Sequence, residues 1–540
     1  MKNIIFFLIS MASIIGISSC KKYMVEVPAY IPDILIEGTQ ATAYHKVIGD
    51  TLRILPEVSY GGQAAIFSYK WLKLINTGGP AVYKFIGDTP LLEYVLDTLG
   101  ESSFRLEVTN DATGIMTSRN IYVSVTARAE RGIYILKENA AGNTDMDALF
   151  ISLSKGRFLG ENLISIANGG ALVGRPVGLG YLEKYRKVTF DTTVTPNRWV
   201  NADFSAYQLV SEKEVLIYKM KEEVVLKNTK AVFFDRQVSN DVHFERVIST
   251  PDQAILLNKG KPFTFLRTSS GYLSAPQGTY NLSPYFTQRQ RISWSDFSNY
   301  ILGFDNASKS FIYIKNGSQT VSYFPDEYLE GSKEINPTKI SSNNMGGDIS
   351  FLENTSGSLD TNSSEHTRAY ALFYTPKLKD KVVLLGLNMA ELSGASNKAQ
   401  HSPIRSADTL SNTTFIDASH YTLNKLYPLL YFSKNNVLGM YNIDTKKMNL
   451  AYHTFSAGEE ITFMKYINYS YTDANGYKMS HLFVATHVKG NYKLYQFEAT
   501  ANNLKLVDVI QGTGKVHSIH YASVDSKEDS NMNYGVSTYY

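Results

Sequence analysis

The sequence predicts an all-β protein with two parts, an N-terminal immunoglobulin-like sandwich and a C-terminal β-propeller of about seven blades. Segments such as SSFRLEVT and RNIYVSVT alternate apolar and polar residues and end at Gly, Asn, Asp or Ser, which is typical of strands bounded by turns. No long amphipathic helical pattern follows residue 20. In the C-terminal part the strands recur in pairs, in units of about 40 to 80 residues.

The first 20 residues are typical of an exported, lipid-anchored protein. A short basic start, MKN, precedes the apolar run Ile4–Ile17, which is shorter than the roughly 18 to 20 residues of a membrane-spanning helix. The order Ile-Ser-Ser-Cys, ending at Cys20, resembles the lipobox of bacterial lipoproteins. We therefore predict a signal peptide over 1–19 and a lipidated tether over 20–30, held in outer-membrane lipid by acylated Cys20. The alternative is an ordinary secretory signal with a chance cysteine.

Composition restricts how the chain is stabilised and what it binds. Cys20 is the only cysteine, so the mature chain forms no internal disulfide and must be stabilised by burial. Its 540 residues exceed what one hydrophobic core usually supports, which indicates at least two domains. Lys plus Arg (53) nearly balance Asp plus Glu (50), without a basic run, so nucleic acid is not an expected partner.

The segment 31–127 is predicted to form the sandwich. Strand patterns occur in TLRILPEV, IFSYKWLKL, LLEYVLDT, SSFRLEVTNDATG and RNIYVSVT, with turn residues between them. About seven short strands in about 95 residues is the size of an immunoglobulin-like domain. Trp71, in the middle of an alternating strand, is expected to fill the space between the two sheets.

Two passages resemble a family of Bacteroidetes surface lipoproteins. YKW, ending at Trp71, and FRLEVTNDATGIMTSRNIYVSV resemble its PKD-like domain, in the divergent branch that lacks the polycystin-type WDFGDG signature. ERGIYILKENAAGNTDMDALFIS and NGGALVGRPVGLGYL, which ends at Leu182, resemble the passage that follows this domain in the same family. The resemblance implies a protein that works beside a TonB-dependent importer and its SusD-like lipoprotein and captures glycan or peptide nutrients.

The segment 128–540 is predicted to form the propeller. Paired-strand units begin at GIYILKE, EVLIYKM, AILLNKG, YILGFDN, AYALFYT, PLLYFSK and HLFVATH. About seven such units suit four-stranded blades, and the gap between the first two units is wide enough for an eighth. A closed ring also removes the exposed sheet edges that so many strands would otherwise leave. Two further sandwiches are the alternative.

Catalytic motifs are missing from the sequence. We find no His-Glu-x-x-His, Gly-x-Ser-x-Gly or P-loop pattern, and we predict no catalytic residue, metal or cofactor. His517 and His520 stand three apart on a predicted strand and would face opposite sides, which makes them poor co-ligands. Asp145 and Asp147, in NTDMDA, are expected in a polar hairpin connection.

Aromatic residues in predicted loops are the candidate ligand-binding groups. They are Trp199, in PNRWVNADFSAY, and Tyr280, Tyr285 and Trp294, in QGTYNLSPYFTQRQRISWSDF. Exposed rings stack on sugars or on peptide side chains, with Arg and Asn supplying hydrogen bonds. The alternative is that these rings pack between blades or plug the central channel.

Two functions remain open at this stage. The first is a non-catalytic lipoprotein on the outer face of the outer membrane, which binds glycan or peptide nutrients for a SusCD-type uptake system. The second is a lipid-anchored hydrolase whose carboxylates come from different blades and so leave no local motif.

Overall fold

The computed structural model describes most of the chain between residues 32 and 523. The described residues are 32–39, 44–47, 50–75, 82–96, 100–126, 131–152, 156–191, 198–220, 223–233, 241–250, 253–266, 272–274, 279–289, 300–315, 318–324, 338, 340–355, 368–388, 403–469 and 479–523. The chain divides into two compact units, Met1–Thr126 and Ala127–Tyr540.

The first unit contains a β-sandwich. Its strands are β1 (Ile34–Glu37), β2 (Tyr44–Val47), β3 (Thr51–Ile54), β4 (Glu57–Tyr60), β5 (Phe67–Ile75), β6 (Val82–Gly87), β7 (Leu92–Val95), β8 (Gly100–Asn110) and β9 (Met116–Thr126). A five-stranded sheet has the order β2-β9-β8-β5-β6, and β1-β4 and β3-β7 form two-stranded sheets. One apolar core takes residues from all three sheets.

Trp71 lies at the centre of that core, as predicted. Its side chain is 0% exposed, and its Nε1 donates a hydrogen bond to the Thr89 carbonyl oxygen at 2.9 Å. The segment TLRILPEV, by contrast, forms two strands, β3 and β4, which belong to different sheets. Pro56 lies between them, and proline cannot donate a ladder hydrogen bond, so the run breaks there.

The described residues of the second unit form small sheets and three short helices. Its first strands are β10 (Arg131–Glu138), β11 (Thr144–Ser152), β12 (Gly156–Gly160), β13 (Pro176–Asp191), β14 (Arg198–Ser211), β15 (Val215–Lys219), β16 (Val224–Lys227), β17 (Phe244–Thr250), β18 (Gln253–Asn258), β19 (Lys261–Leu266), β20 (Thr287–Arg289), β21 (Tyr300–Asp305), β22 (Ser310–Lys315) and β23 (Val321–Tyr323). The others are β24 (Asp348–Asn354), β25 (Arg368–Tyr374), β26 (Val382–Asn388), β27 (Ile404–Leu410), β28 (His420–Leu423), β29 (Leu429–Lys434), β30 (Val437–Asn442), β31 (Lys447–Thr454), β32 (Glu460–Tyr469), β33 (Met479–Val488), β34 (Asn491–Ala499), β35 (Leu504–Thr513) and β36 (Lys515–Ser523). The helices are α1 (Leu163–Asn168), α2 (Thr229–Val232) and α3 (Thr413–Ile416). Within the described ranges, no helix has the length and apolar character needed to cross a bilayer.

These strands form seven antiparallel sheets, which we call blades 1 to 7. Blade 1 has the order β36-β10-β11-β12; blades 2 to 7 are β13-β14-β15-β16, β17-β18-β19, β20-β21-β22-β23, β24-β25-β26-β27, β28-β29-β30-β31 and β32-β33-β34-β35. In blade 3 the fourth position is marked by an antiparallel bridge between Phe265 and Leu273. The opening segment of each of the seven predicted paired-strand units forms the second or third strand of one blade. The gap between the first two units holds α1 and the long β13–β14 hairpin, so the described residues contain seven blades.

The apolar cores of this unit form a ring. Blades 1 and 2 share one core, and so do blades 2 and 3, blades 3 and 4, blades 4 and 5, blades 5 and 6, and blades 6 and 7. A seventh core joins blade 7 back to blade 1. Every blade therefore packs against two neighbours, as in a closed propeller and not as in serial sandwiches.

The C-terminal strand closes this ring. β36 pairs antiparallel with β10, from Arg131 opposite Ser523 to Glu138 opposite Lys515. Blade 1 thus takes its inner strand, β36, from the C-terminal part of the chain. Val516, Ile519 and Tyr521 of β36 pack into the core between blades 7 and 1.

Candidate functional site

A cavity of about 590 Å³ lies at the hub of the propeller. Its walls come from all seven blades: strands β13, β17, β24, β32 and β36, the end of β25, the segments just before β20 and β28, and the start of β28. Each blade contributes its innermost strand or the segment leading into it, because those segments surround the axis. This volume is within the range of about 300–1,000 Å³ that is usual for small-molecule sites.

β-Bulges shape the wall of this cavity. Five of the inner strands each contain a bulge where a residue has no partner in the ladder: Val177, Glu245, Ser350, Thr462 and His517. A bulge bends its strand and redirects the neighbouring side chains. As a result, consecutive residues such as Glu245 and Arg246 both line the cavity, where a regular strand would present alternate residues.

A charge cluster lies in and behind the cavity wall, formed by Arg246, Glu353, Lys425 and Lys465. Glu353 Oε1 lies 3.1 Å from Lys425 Nζ and 2.6 Å from Lys465 Nζ. Glu353 Oε2 accepts hydrogen bonds from the Leu423 backbone N–H at 2.7 Å and from the Thr422 hydroxyl at 3.1 Å. Blades 5, 6 and 7 are therefore joined at the hub by one carboxylate.

These contacts determine the ionisation of Glu353. Burial raises its pKa, but Lys425 and Lys465 outweigh burial and lower the pKa to about 2. Burial lowers the pKa of Lys425 to about 8, against the opposing effect of Glu353. At neutral pH Glu353 is a carboxylate, and its charge is already engaged by two ammonium groups.

Arg246 differs from the two lysines in having no carboxylate partner. Its Nε is buried without a hydrogen-bond partner among the described residues, and no ion pair of Arg246 is found in that part of the chain. Burial lowers the pKa of its guanidinium, while Glu353 and Tyr285 oppose the fall. The adjacent Glu245 instead accepts a hydrogen bond from the Gly260 backbone N–H at 2.8 Å.

Aromatic and imidazole groups complete the wall. Tyr285 is 39% exposed and lines the cavity, as do Tyr374, Tyr421, His420 and His517. Burial raises the pKa of Tyr285, and Arg246 opposes the rise. Burial lowers the pKa of both histidines, so both are neutral at neutral pH.

The structure describes three of the four predicted aromatic residues and places them in different surroundings. Tyr285 lines the cavity, whereas Tyr280 packs against the core between blades 3 and 4, with its hydroxyl 3.4 Å from the Val321 carbonyl oxygen. Trp199, predicted in a loop, lies instead in β14, where it pairs with Phe190 of β13. Trp294 and the anchor residue Cys20 lie outside the described residues. Ligand binding by these aromatic residues stays a prediction.

Asp145 and Asp147 lie in the buried strand β11, so their predicted place in a polar connection is wrong. Asp145 accepts a hydrogen bond from the backbone N–H of Ser165, and Asp147 accepts one from that of Asn162, at 3.2 and 2.9 Å. Both aspartates thus satisfy N–H groups at the start of α1, which have no partner inside the helix. Sequence spacing alone could not reveal this tertiary role.

His517 and His520 contact different partners, as their spacing on a strand predicts. His517 Nε2 lies 3.1 Å from Glu138 Oε2, and His520 Nδ1 lies 2.6 Å from the Tyr207 hydroxyl. Burial lowers the pKa of His520 to about 3. His520 therefore serves as a neutral link between blades 1 and 2.

Sequence comparison finds a known family in the N-terminal part of the chain. Residues 29–176 match the profile of the PKD-like family. This region is PKD-like. The match covers the sandwich and continues through β12 of blade 1 to the first residue of β13, so it confirms the resemblance to a PKD-like domain over these residues. No curated protein matches the chain in sequence.

Several solved structures resemble the chain distantly. A quinonprotein alcohol dehydrogenase-like protein of Bacteroides thetaiotaomicron is 11% identical, with 91% of this chain and 99% of that one covered and a TM-score of 0.42. A protein from Lactobacillus plantarum is 11% identical over 73% of this chain and 100% of that one, with a TM-score of 0.39. The WD40 domain of SCAP from fission yeast is 10% identical over 65% and 77%, with a TM-score of 0.30. Likenesses this distant carry no conclusion about ligand or activity.

Proposed function

We propose that the protein is a non-catalytic binding lipoprotein of the outer-membrane surface, and that its ligand enters the hub cavity of the propeller. In this proposal it serves a SusCD-type uptake system, beside a TonB-dependent importer and a SusD-like lipoprotein, by capturing glycan or peptide nutrients. The PKD-like match supports the family context. The single observation that carries the binding role is the hub cavity, where polar side chains from six of the seven blades converge on one space of about 590 Å³.

The charges of the cavity favour binding over hydrolysis. A glycoside hydrolase uses two carboxyl groups, one of which is kept protonated by a raised pKa so that it can act as a general acid. Among the described residues, the carboxyl groups that line the cavity are Glu245 and Glu353. The pKa of Glu353 is lowered to about 2, so it holds no proton to donate at neutral pH.

Replacing Tyr285 with alanine is expected to weaken binding without harming the fold. A half-exposed ring that stacks on a ligand contributes about 1 kcal/mol, so affinity should fall roughly fivefold to tenfold. The melting temperature should stay within about 2 °C, because exposed substitutions rarely change stability by more than about 0.5 kcal/mol. Calorimetric titration with a ligand chosen from oligosaccharide and peptide panels gives the affinity. Tyr122→Ala is the matched control, because it removes a ring that is 54% exposed in the sandwich. Unchanged ligand affinity in Tyr285→Ala would place the ligand elsewhere.

Replacing Cys20 with alanine is expected to release the protein from the membrane. Cys20 is the only cysteine, so the variant has no site for thiol acylation and should appear as precursor or soluble product. Fractionation of cells after a high-salt wash measures this. A variant that still partitions with outer membrane would contradict the lipoprotein prediction, and protease treatment of intact cells would show which face the wild type occupies.

A further inference from the structure

We infer that the hub cavity takes an acidic sugar, a uronate, whose carboxylate pairs with Arg246. This inference rests on the proposed function and names its ligand class. It depends on three features of the described residues: the balance of charge in the cavity, the unpaired state of Arg246, and the ring of Tyr285 in the same wall.

The hub carries more positive than negative charge. Arg246, Lys425 and Lys465 supply three cations, and both lysines engage Glu353. Counting Glu245 as well, and Lys425 behind the cavity wall, the cluster has three cations and two carboxylates, and neither carboxylate pairs with Arg246. The two lining histidines are neutral and do not change the balance.

Arg246 carries this excess charge. Its Nε is buried and has no hydrogen-bond partner among the described residues. Burying a charged group without a partner is costly, and so is leaving a buried donor unsatisfied. A carboxylate in the cavity compensates the charge, because the planar guanidinium presents parallel N–H donors that match its two oxygens. Arg246 is therefore organised to receive an anion from outside the chain.

The ring of Tyr285 favours a sugar as the bearer of that carboxylate. Tyr285 lies close enough to Arg246 for the two groups to influence each other's pKa, and its half-exposed ring offers a flat apolar face to the C–H side of a sugar ring. The hydroxyl of Tyr421 is already bonded to the Phe415 carbonyl oxygen, so that tyrosine belongs to the scaffold. A cavity of about 590 Å³ suits a small oligosaccharide better than an extended peptide, which usually needs a groove or a free sheet edge.

The test compares digalacturonate with its methyl ester, which keeps the shape and removes the charge. Calorimetric titration of the full chain should show the acid binding at least about tenfold more tightly than the ester, because a hydrogen-bonded charge pair is lost in the ester. Arg246→Gln should remove this preference. Arg53→Gln, which changes an arginine 72% exposed in the sandwich, should retain it.

Each other outcome overturns the inference in a distinct way. Equal affinity for acid and ester would leave the cavity as a ligand site but would refute the role of charge. A preference that survives Arg246→Gln would place the carboxylate elsewhere. Binding of an acidic peptide without binding of digalacturonate would refute the sugar class, and failure of every sugar and peptide to bind would refute the proposed function itself. If Arg246→Gln does not fold, Arg246→Lys keeps the charge but loses the paired donors, and it should show a reduced preference.

Discussion

Truncation after Gly514 is expected to abolish cooperative folding of the propeller while the sandwich remains folded. The truncation removes β36, the inner strand of blade 1 and the last strand of the ring. Circular dichroism and calorimetry of the full chain and of the truncated chain measure the effect. The truncated chain should keep only a small transition from the sandwich, which has its own core.

The size of this effect follows from what β36 buries. Val516, Ile519 and Tyr521 belong to the core between blades 7 and 1. Burial of three such side chains contributes about 5 to 9 kcal/mol, before any ladder hydrogen bond with β10 is counted. That is comparable to the whole stability of a typical domain, about 5 to 15 kcal/mol.

The matched control for this truncation ends the chain after Ser523 and keeps β36 whole. It should unfold at the temperature of the full-length protein. If the chain cut after Gly514 instead kept a cooperative transition of full size, the propeller would not depend on closure, and serial domains would explain the C-terminal unit better.

Replacing Lys137 with methionine is expected to destabilise the propeller by about 3 to 5 kcal/mol. Lys137 Nζ lies 2.7 Å from Asp147 Oδ1, and both side chains are almost wholly buried, at 1% and 0% exposed. Burial raises the pKa of Asp147, and Lys137 opposes that rise. Removing one partner of a buried ion pair leaves the other charge uncompensated, which is the source of the large cost.

This pair also supports the closure of the ring. Asp147 accepts a hydrogen bond from the Tyr492 hydroxyl of blade 7 at 2.9 Å, so an uncompensated Asp147 weakens the joint between blades 7 and 1. Urea denaturation measures the change. Lys505→Met is the control, because the Lys505–Glu498 pair is 64% and 52% exposed and such pairs contribute about 0 to 1 kcal/mol. A loss below about 1 kcal/mol in Lys137→Met would contradict the account.

The sequence predicts the fold well because sandwich strands such as β8 alternate apolar and polar residues, and because strand-length apolar runs recur in the propeller part. The central strands of all seven blades are apolar runs, such as AYALFYT in β25 and HLFVATH in β33. Trp71 was predictable because a large aromatic ring in the middle of an alternating strand is usually buried in a core. Trp199 was misplaced because its segment is rich in Asn and Asp, which is typical of turns, whereas pairing with β13 holds it in a strand.

The candidate site could be predicted only in part. Tyr285 could be predicted from the sequence because it is an aromatic residue surrounded by turn-forming residues. The charge cluster was not, because Arg246, Glu353, Lys425 and Lys465 come from four blades and meet only when the ring closes. The signal in the sequence is one or two charged residues inside an otherwise apolar strand, as in FERVIS, SFLEN and FMKYI. The bulges that turn these side chains towards the hub have no comparable sequence signal.

The central claim, a propeller that binds its ligand and does not convert it, is tested most directly by one titration followed by analysis of the same sample. Full-length protein is titrated with acidic and neutral oligosaccharides and with peptides, and the mixture is then examined by mass spectrometry after prolonged incubation. The account predicts saturable binding of a ligand that is recovered intact. Release of a hydrolysis product, lost when Glu245 is changed to Gln, would contradict it and would make the protein a hydrolase.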